Sequence, residues 1–218
     1  MKYVKVILLA VAVSALFTAF VKADELKLTR ISGTYYGNGG EFSITPDVMN
    51  FVGGVPALSD VSLQSFCLEH NENVTGSSGT YQYVINTGAV NGGVGGAVGN
   101  FDPLDPLTAW MYNSFVEGTL VGYDYGSGRE ESARALQNAI WFSEDEIPEL
   151  TLGAAFYQQA LDASPTTIGN IRVLNLYKNG ELKQDQICKI ATAPEPCSLF
   201  LGLLGLCGVI LWRVRWNT

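Results

Sequence analysis

The chain carries the stretch Leu136-Gln137-Asn138-Ala139-Ile140-Trp141, which predicts part of an α-helix running from about 129 to 142. The apolar residues Leu136, Ile140 and Trp141 recur at the spacing of one buried helix face. Gln137 falls on that same face. An unpaired amide in an apolar interior costs about 1–3 kcal/mol, so the pattern predicts a specific partner for Gln137. Two partners are open: backbone groups, or the sulfur of a cysteine bonded to the side-chain carbonyl carbon of Gln137.

A candidate cysteine lies far upstream, in Ser65-Phe66-Cys67-Leu68-Glu69. Residues 61–69 alternate as a β-strand, which places Cys67 on the same face as Val61 and Leu63. We therefore expect Cys67 to point into a core, where a buried glutamine can meet it.

A cysteine and a glutamine that meet in this way have a specific chemistry. The thiolate can attack the glutamine amide, expel ammonia and leave an intramolecular thioester between Cys67 and Gln137. The reaction requires that the two groups are held at attack distance and that water is kept away. Phe66 and Trp141 are the candidate shielding residues, although ordinary core packing explains aromatic residues equally well.

Cys188 provides the main alternative for Cys67, since these are the two cysteines between residues 24 and 192. In an oxidising compartment a pair of cysteines indicates a disulfide. A Cys67–Cys188 disulfide would make Gln137 a bystander and the protein a non-covalent binding or matrix protein. An extracellular hydrolase is a weaker alternative, because the single histidine, His70, alternates to the opposite strand face from Cys67.

Both motifs resemble those of a known family. Leu136–Trp141 resembles the apolar-Gln-x-Ala-Ile-Trp motif of bacterial thioester domains, and Phe66-Cys67-Leu68 resembles their upstream aromatic-Cys-apolar element. The resemblance implies a Cys67–Gln137 thioester at the junction of a β-rich and a helical subdomain, and covalent adhesion in Gram-positive relatives. The stretches that are similar to the version of this domain in exported PEP-CTERM proteins are Phe66–Asn73, Ile85–Gly96, Asp102–Tyr123 and Asn170–Gln186.

The order of the predicted elements indicates the fold class. Strands come first, helices follow near 105–118, 129–142 and 152–163, and a hairpin at 171–190 turns at Asn179-Gly180. This order indicates an α+β domain. With the resemblance, we expect a β-rich sandwich or barrel subdomain with a small helical subdomain packed against it, together forming a thioester domain over residues 24–192.

Hydrophobic segments at both ends predict export. Residues 1–23 have the pattern of a secretory signal peptide, with cleavage expected after Ala23. Residues 193–218 combine Pro194-Glu195-Pro196, a short apolar stretch and a basic end, which resembles the PEP-CTERM sorting signal. The resemblance implies an exosortase-type processing enzyme and a short transmembrane helix that holds the protein transiently in the inner membrane. The protein would then pass to the cell surface or the extracellular matrix.

Composition limits the partners and cofactors. Between residues 24 and 193 the chain has 20 Asp and Glu against 8 Lys and Arg, a net charge of −12, which argues against nucleic acid. No motif indicates a metal or another cofactor, and the acidic run Ser143–Glu146 is expected to be a solvated helix end. The glycine-rich stretch 88–100 lacks the lysine of a phosphate-binding loop, so we expect a mobile surface loop that can border the reactive site.

These features predict an exported cell-surface or matrix protein that uses a Cys67–Gln137 thioester to capture a nucleophile covalently, for adhesion or matrix attachment. The expected partner is a surface or matrix molecule that bears a nucleophile. Since each thioester is consumed by one capture, we do not expect a turnover enzyme.

Overall fold

The structure is a computed structural model that describes residues 24–37, 39–46, 63–74, 76–90, 93–95 and 97–191. The predicted signal peptide and the sorting tail with Pro194, Glu195 and Pro196 lie outside these ranges. Within these ranges, no helix combines the length and the apolar character needed to cross a membrane.

In the described residues, eight strands form two antiparallel sheets. They are β1 (Glu25–Tyr36), β2 (Gly39–Pro46), β3 (Leu63–Ser65), β4 (Ser78–Asn86), β5 (Gly88–Val90), β6 (Phe101–Pro103), β7 (Ile171–Lys178) and β8 (Glu181–Lys189). The main sheet has six strands in the order β3-β2-β1-β4-β7-β8, and β5 pairs with β6 in a small second sheet. The hairpin predicted near the end of the domain is confirmed as β7 and β8, which pair from Ile171 and Lys189 to Lys178 and Glu181 with a register shift between Leu174 and Leu176.

The two edges of the main sheet meet through the residues that follow β3. The Ile187 amide donates to the carbonyl of Phe66 at 3.1 Å, and the Leu68 amide donates to the carbonyl of Asp185 at 3.1 Å. Between these bonds, Cys67 lies opposite Gln186 in an antiparallel bridge. The residues after edge strand β3 thereby join edge strand β8, and the sheet curls into a barrel-like shape. We call this junction the seam, and it contains Cys67.

Three helices cover the seam side of the sheet, and all three were predicted from the sequence. They are α1 (Pro106–Val116), α2 (Arg129–Ser143) and α3 (Ala154–Ala163). The Asp105 side chain accepts a hydrogen bond from the Leu107 amide at 2.6 Å and so caps the N-terminus of α1. Gly153 lets α3 begin close to α2, because a Cβ there would lie 2.1 Å from the carbonyl oxygen of Ala135.

The core is divided between the helices and the inside of the curled sheet. Phe66 and Leu68 belong to the cluster formed with the helices, whereas Cys67 belongs to the cluster inside the sheet. Leu63 packs against that same inner cluster. The alternation predicted for this segment is therefore confirmed, and Cys67 points into a core. The α+β prediction is also confirmed, with the curled sheet as its β-rich part and the three helices as its helical part.

The acidic end of α2 differs from the prediction. Glu144 and Glu146 are buried, and Glu146 accepts hydrogen bonds from the amides of His70 at 2.8 Å and Val94 at 2.7 Å. Burial is possible because backbone donors from distant loops satisfy the carboxylates. The predicted solvated end is wrong for these two residues. The predicted glycine-rich surface loop is also wrong in part, since Gly88–Val90 form β5 and Glu146 holds Val94 in place.

Candidate functional site

Gln137 is fully buried and its side-chain amide contacts the backbone of Cys67. Its Nε2 donates to the carbonyl oxygen of Cys67 at 2.9 Å, and its Oε1 accepts from the Cys67 amide at 3.1 Å. The same Oε1 accepts from the Gly40 amide at 2.9 Å. The sequence left two partners open for Gln137, backbone groups or the cysteine. In the structure the partners are backbone groups, and most of these groups belong to Cys67 itself.

The amide of Gln137 takes the place of a missing pair of strand hydrogen bonds. In the register of β2 and β3, Phe42 lies opposite Ser65 and Ile44 lies opposite Leu63. Continuing this register would place Gly40 opposite Cys67. The Gln137 amide is inserted between these two residues and bonds to both. Gln137, a residue of α2, is thus held within a strand ladder, where it contacts the backbone of Cys67.

A glycine at position 39 makes room for this insertion. A Cβ on Gly39 would lie 2.6 Å from Cζ2 of Trp141 and 2.7 Å from Cδ of Gln137. Contacts this short cannot be tolerated without displacing one of the two side chains. Gly39 therefore belongs to the site, although no local pattern separates it from the neighbouring turn glycines.

Replacing Gly39 by alanine is expected to destabilise the fold by about 1–3 kcal/mol, because the added methyl group overpacks the site. It should also reduce any reaction between Cys67 and Gln137 by displacing the amide. Gly126→Ala is a suitable control, since its Cβ would meet only the Oδ1 of the exposed Asp124, at 3.1 Å. Urea unfolding of the two variants measures the difference. Equal midpoints for Gly39→Ala and Gly126→Ala would show that the space beside Gln137 is not restricted.

The sulfur of Cys67 lies in a dry environment. Cys67 is fully buried, and this burial raises the pKa of its thiol well above its usual range. The Nε2 of Gln186 donates a hydrogen bond to the sulfur at 3.1 Å. Burial thus favours the neutral thiol of Cys67 over its thiolate. A neutral buried bond is compatible with these surroundings, whereas a buried thiolate needs local stabilisation.

The alternative disulfide is not formed. Cys67 and Cys188 are both thiols in the structure, although both lie in the cluster inside the sheet. Cys67 is opposite Gln186 on β8, so Cys188 is its diagonal neighbour, two residues further along. Diagonal neighbours in antiparallel strands are about 7–8 Å apart, with their Cβ atoms somewhat closer. A disulfide needs Cβ atoms about 3.5–4.5 Å apart. The predicted staple between Cys67 and Cys188 is therefore inconsistent with this strand register.

Two backbone amides converge on the oxygen of Gln137. The amides of Gly40 and Cys67 both donate to Oε1, and both belong to backbone that is held by the surrounding strands. If a nucleophile attacked the Cδ of Gln137, negative charge would develop on this oxygen. Two fixed N–H donors at this position have the geometry of an oxyanion hole.

The two candidate shielding residues lie on different sides of the site. Trp141 is 1% exposed and lies beside Gln137 across Gly39. The exposed His70 packs edge-on against the Trp141 ring, with centroids 4.7 Å apart. Phe66 instead packs edge-on against Phe115 within the helical cluster. Trp141 and Gln137 therefore both lie close to Gly39, whereas Phe66 packs with the helical cluster.

A buried ion pair anchors α2 to β2 close to the site. Glu41 is fully buried, and Arg129, the first residue of α2, donates from Nε to its Oε2 at 2.9 Å and from Nη2 to its Oε1. Tyr123 also donates to Oε2 of Glu41, at 3.4 Å. Since Glu41 directly follows Gly40, this pair fixes the start of α2 beside the strand residue that bonds to Gln137.

Buried carboxyl groups predict that stability falls as the pH rises. Burial raises the pKa of Glu144 to about 8 and that of Asp102 to about 6. Burial and the charge of Asp185 hold the pKa of Glu69 well above its usual range. In the unfolded chain such groups titrate near pH 4. Between about pH 4 and pH 8 the folded protein therefore binds more protons than the unfolded chain, and its free energy of unfolding decreases as the pH rises.

Urea midpoints at about pH 5 and pH 8 test this pH dependence. The wild type should unfold at a lower urea concentration at the higher pH. Glu144→Gln keeps the oxygen that accepts from the Asp105 amide but cannot titrate, so its midpoint should change less between the two conditions. A wild-type midpoint that stays constant or rises with pH would contradict the prediction.

Among the residues that the structure describes, no group of three or more His, Cys, Asp or Glu side chains is placed to hold a metal ion. The contacts of the Cys67 side chain include a hydrogen bond from Gln186 and apolar packing.

Comparisons with known proteins give one structural likeness. No protein-family model and no curated protein matches the chain. A solved structure of similar fold is the N-terminal thioester domain of fibronectin-binding protein SfbI from Streptococcus pyogenes. It is 12% identical, with a TM-score of 0.46, and the match covers 81% of this chain and 98% of that chain. At this low similarity, the interpretation of Cys67 and Gln137 depends on their own contacts.

Proposed function

We propose that this protein captures a nucleophile covalently through a thioester between Cys67 and Gln137. The observation that carries the proposal is the Gln137 side-chain amide, which is fully buried and hydrogen-bonded to both the amide and the carbonyl of Cys67. These hydrogen bonds hold the amide of Gln137 beside the backbone of the residue that carries the candidate nucleophile.

Formation of the bond follows from this arrangement. The Cys67 thiol loses its proton, and Sγ attacks Cδ of Gln137. Charge develops on Oε1, where the Gly40 and Cys67 amides can stabilise it. The bond between Cδ and Nε2 then breaks, and the nitrogen leaves as ammonia with the proton from the thiol. The products are one thioester and one ammonia.

In the capture step, the amine of a partner attacks the thioester carbon. The bond between carbon and sulfur breaks, and Sγ takes the proton that the amine loses. The product is an amide between Gln137 and the partner, which is more stable than the thioester. Because Gln137 is consumed, each molecule reacts once and the protein is not a turnover enzyme.

The partner in this proposal is a surface or matrix molecule that carries a nucleophile, and the function is adhesion or matrix attachment. The signal peptide expected at residues 1–23 and the sorting signal expected at 193–218 support export to the cell surface or matrix. They imply processing by an exosortase-type enzyme after a transient stay in the inner membrane. The net charge of −12 between residues 24 and 193 supports a partner other than nucleic acid.

Labelling with methylamine tests the proposed capture. The purified protein should gain one methylamine, and peptide mass spectrometry should locate it on the side chain of Gln137. Cys67→Ser should take up none, whereas Cys188→Ser, which removes the other buried thiol, should be labelled like the wild type. Absence of labelling in the unfolded as well as the folded wild type would refute the proposal, since unfolding exposes any thioester that is merely shielded.

A further inference from the structure

Gln186 contacts the sulfur of Cys67, a contact that apolar core packing does not require. It lies on β8 directly opposite Cys67, is fully buried, and donates from Nε2 to Sγ at 3.1 Å. We infer that Gln186 is a catalytic residue of the proposed thioester, where its N–H stabilises the Cys67 thiolate in both bond formation and capture. This inference depends on the proposed function.

The surroundings of the sulfur create the need for such a donor. Cys67 lies in the cluster inside the sheet, among side chains that include Phe42, Leu174 and Leu176. Burial strongly disfavours a thiolate there, and the hydrogen bond from Gln186 is the largest opposing influence on the pKa of Cys67. The positive charge of Arg30 has a smaller effect in the same direction.

The orientation of the Gln186 amide is set by its other end. Its Oε1 lies 3.2 Å from the hydroxyl of Ser65, whose single proton is shared between this oxygen and the carbonyl oxygen of Ile187 at 2.7 Å. With Oε1 next to the hydroxyl, Nε2 is directed at the sulfur. A reversed amide would place a carbonyl oxygen against Sγ and would repel a thiolate.

The same N–H acts at two points of the reaction. In bond formation the thiol proton leaves and the electron pair on Sγ, held by Gln186, attacks Cδ of Gln137. In capture, the bond between Cδ and Sγ breaks, and its electron pair returns to a sulfur that faces the same donor before it takes a proton. In the thioester between these steps the sulfur is uncharged, so the hydrogen bond is stronger in the transition states than in the stored bond.

A matched pair of variants separates this role from packing. Gln184 lies on the same strand, is equally buried, and donates from Nε2 to the carbonyl of Glu69 at 2.7 Å. Gln186→Met and Gln184→Met therefore each remove one buried amide of the same size from β8. Only Gln186→Met removes a donor from the sulfur. We expect Gln186→Met to react with methylamine about 10- to 100-fold more slowly than Gln184→Met.

Titration of the Cys67 thiol measures a property that depends on the hydrogen bond from Gln186 and not on packing alone. In a background in which Cys188, Cys197 and Cys207 are replaced by alanine, after discharge by methylamine, the ultraviolet absorbance of the Cys67 thiolate should develop at higher pH in Gln186→Met than in Gln184→Met. If Gln186→Met does not fold, Gln186→Glu replaces it, since the acid can donate to sulfur only while it is protonated. Its rate relative to wild type should then fall as the pH rises.

The outcomes distinguish this inference from the proposed function. A wild type without a thioester refutes the proposed function and, with it, the role of Gln186. A wild type that reacts with methylamine, together with equal rates and equal thiolate titrations in the two methionine variants, refutes the role of Gln186 alone. For Gln186→Glu, a rate relative to wild type that does not change with pH would also refute the role of Gln186 alone.

Discussion

A Gln137→Glu variant is expected to fold and yet to capture nothing. A glutamate keeps the oxygen that accepts from the Gly40 and Cys67 amides. Burial favours its neutral form, whose O–H can replace the bond to the Cys67 carbonyl. A carboxyl group, however, does not react with a thiol to expel ammonia. The variant should therefore keep most of its stability and lose methylamine labelling completely.

A second amide on the same helix provides the control for this prediction. Asn138 is buried, and its Oδ1 accepts from the Leu152 amide at 2.8 Å, away from Cys67. Asn138→Asp makes the same chemical change one residue along and should retain labelling. Gln137→Ala should differ from both by losing about 3–5 kcal/mol of stability, because it leaves buried backbone groups unpaired and a cavity. Labelling of Gln137→Glu at the wild-type level would show that Gln137 is not the acyl donor.

Breaking the ion pair between Glu41 and Arg129 should be the most damaging single change outside the reacting residues. Glu41→Gln leaves the guanidinium of Arg129, whose side chain is 13% exposed, without its charged partner. Loss of one member of a buried pair costs about 3–5 kcal/mol. Because the pair fixes α2 beside β2, the variant should also form less thioester than the wild type.

The double variant Glu41→Gln/Arg129→Met tests the reason for this loss. It removes the unpaired charge, so part of the stability lost in Glu41→Gln should return. Denaturant unfolding gives the stabilities, and intact mass gives the fraction of thioester. A double variant that is no more stable than Glu41→Gln would mean that the unpaired charge is not the cause. A Glu41→Gln variant as stable as the wild type would remove the proposed anchor altogether.

Local patterns in the sequence predicted the elements that hold the two reacting residues. The buried face of α2 was readable from the spacing of Leu136, Ile140 and Trp141, and the strand alternation correctly directed Cys67 inward. Both signals depend on neighbours within a few residues, so they survive without knowledge of the tertiary fold.

Contacts between distant segments were not readable in the same way. The insertion of Gln137 between Gly40 and Cys67 depends on the register of β2 and β3, and the contact of Gln186 with Cys67 depends on how β8 meets the opposite edge of the sheet. A usable signal was present, since Gln184, Gln186 and Cys188 follow one another at alternate positions of β8 and all three are buried. A buried amide beside apolar neighbours is the same pattern that singles out Gln137.

The acidic end of α2 was misread for a related reason. A run of Glu, Asp and Glu after a helix usually lies in water. Here Glu144 reaches the start of α1 and Glu146 reaches two loops. The donors that permit this burial come from residues 39 to 76 positions away in the chain, so composition alone predicted the opposite.

The intact mass of the purified wild-type protein tests the central claim most directly. If Cys67 and Gln137 form a thioester, the mature protein should be lighter than its sequence by the mass of one ammonia, and the deficit should be absent in Cys67→Ala and in Gln137→Ala. Brief treatment with methylamine should replace the deficit by the added amine. A wild-type mass that equals the sequence mass, or a deficit of two hydrogens that a reductant reverses, would contradict the claim.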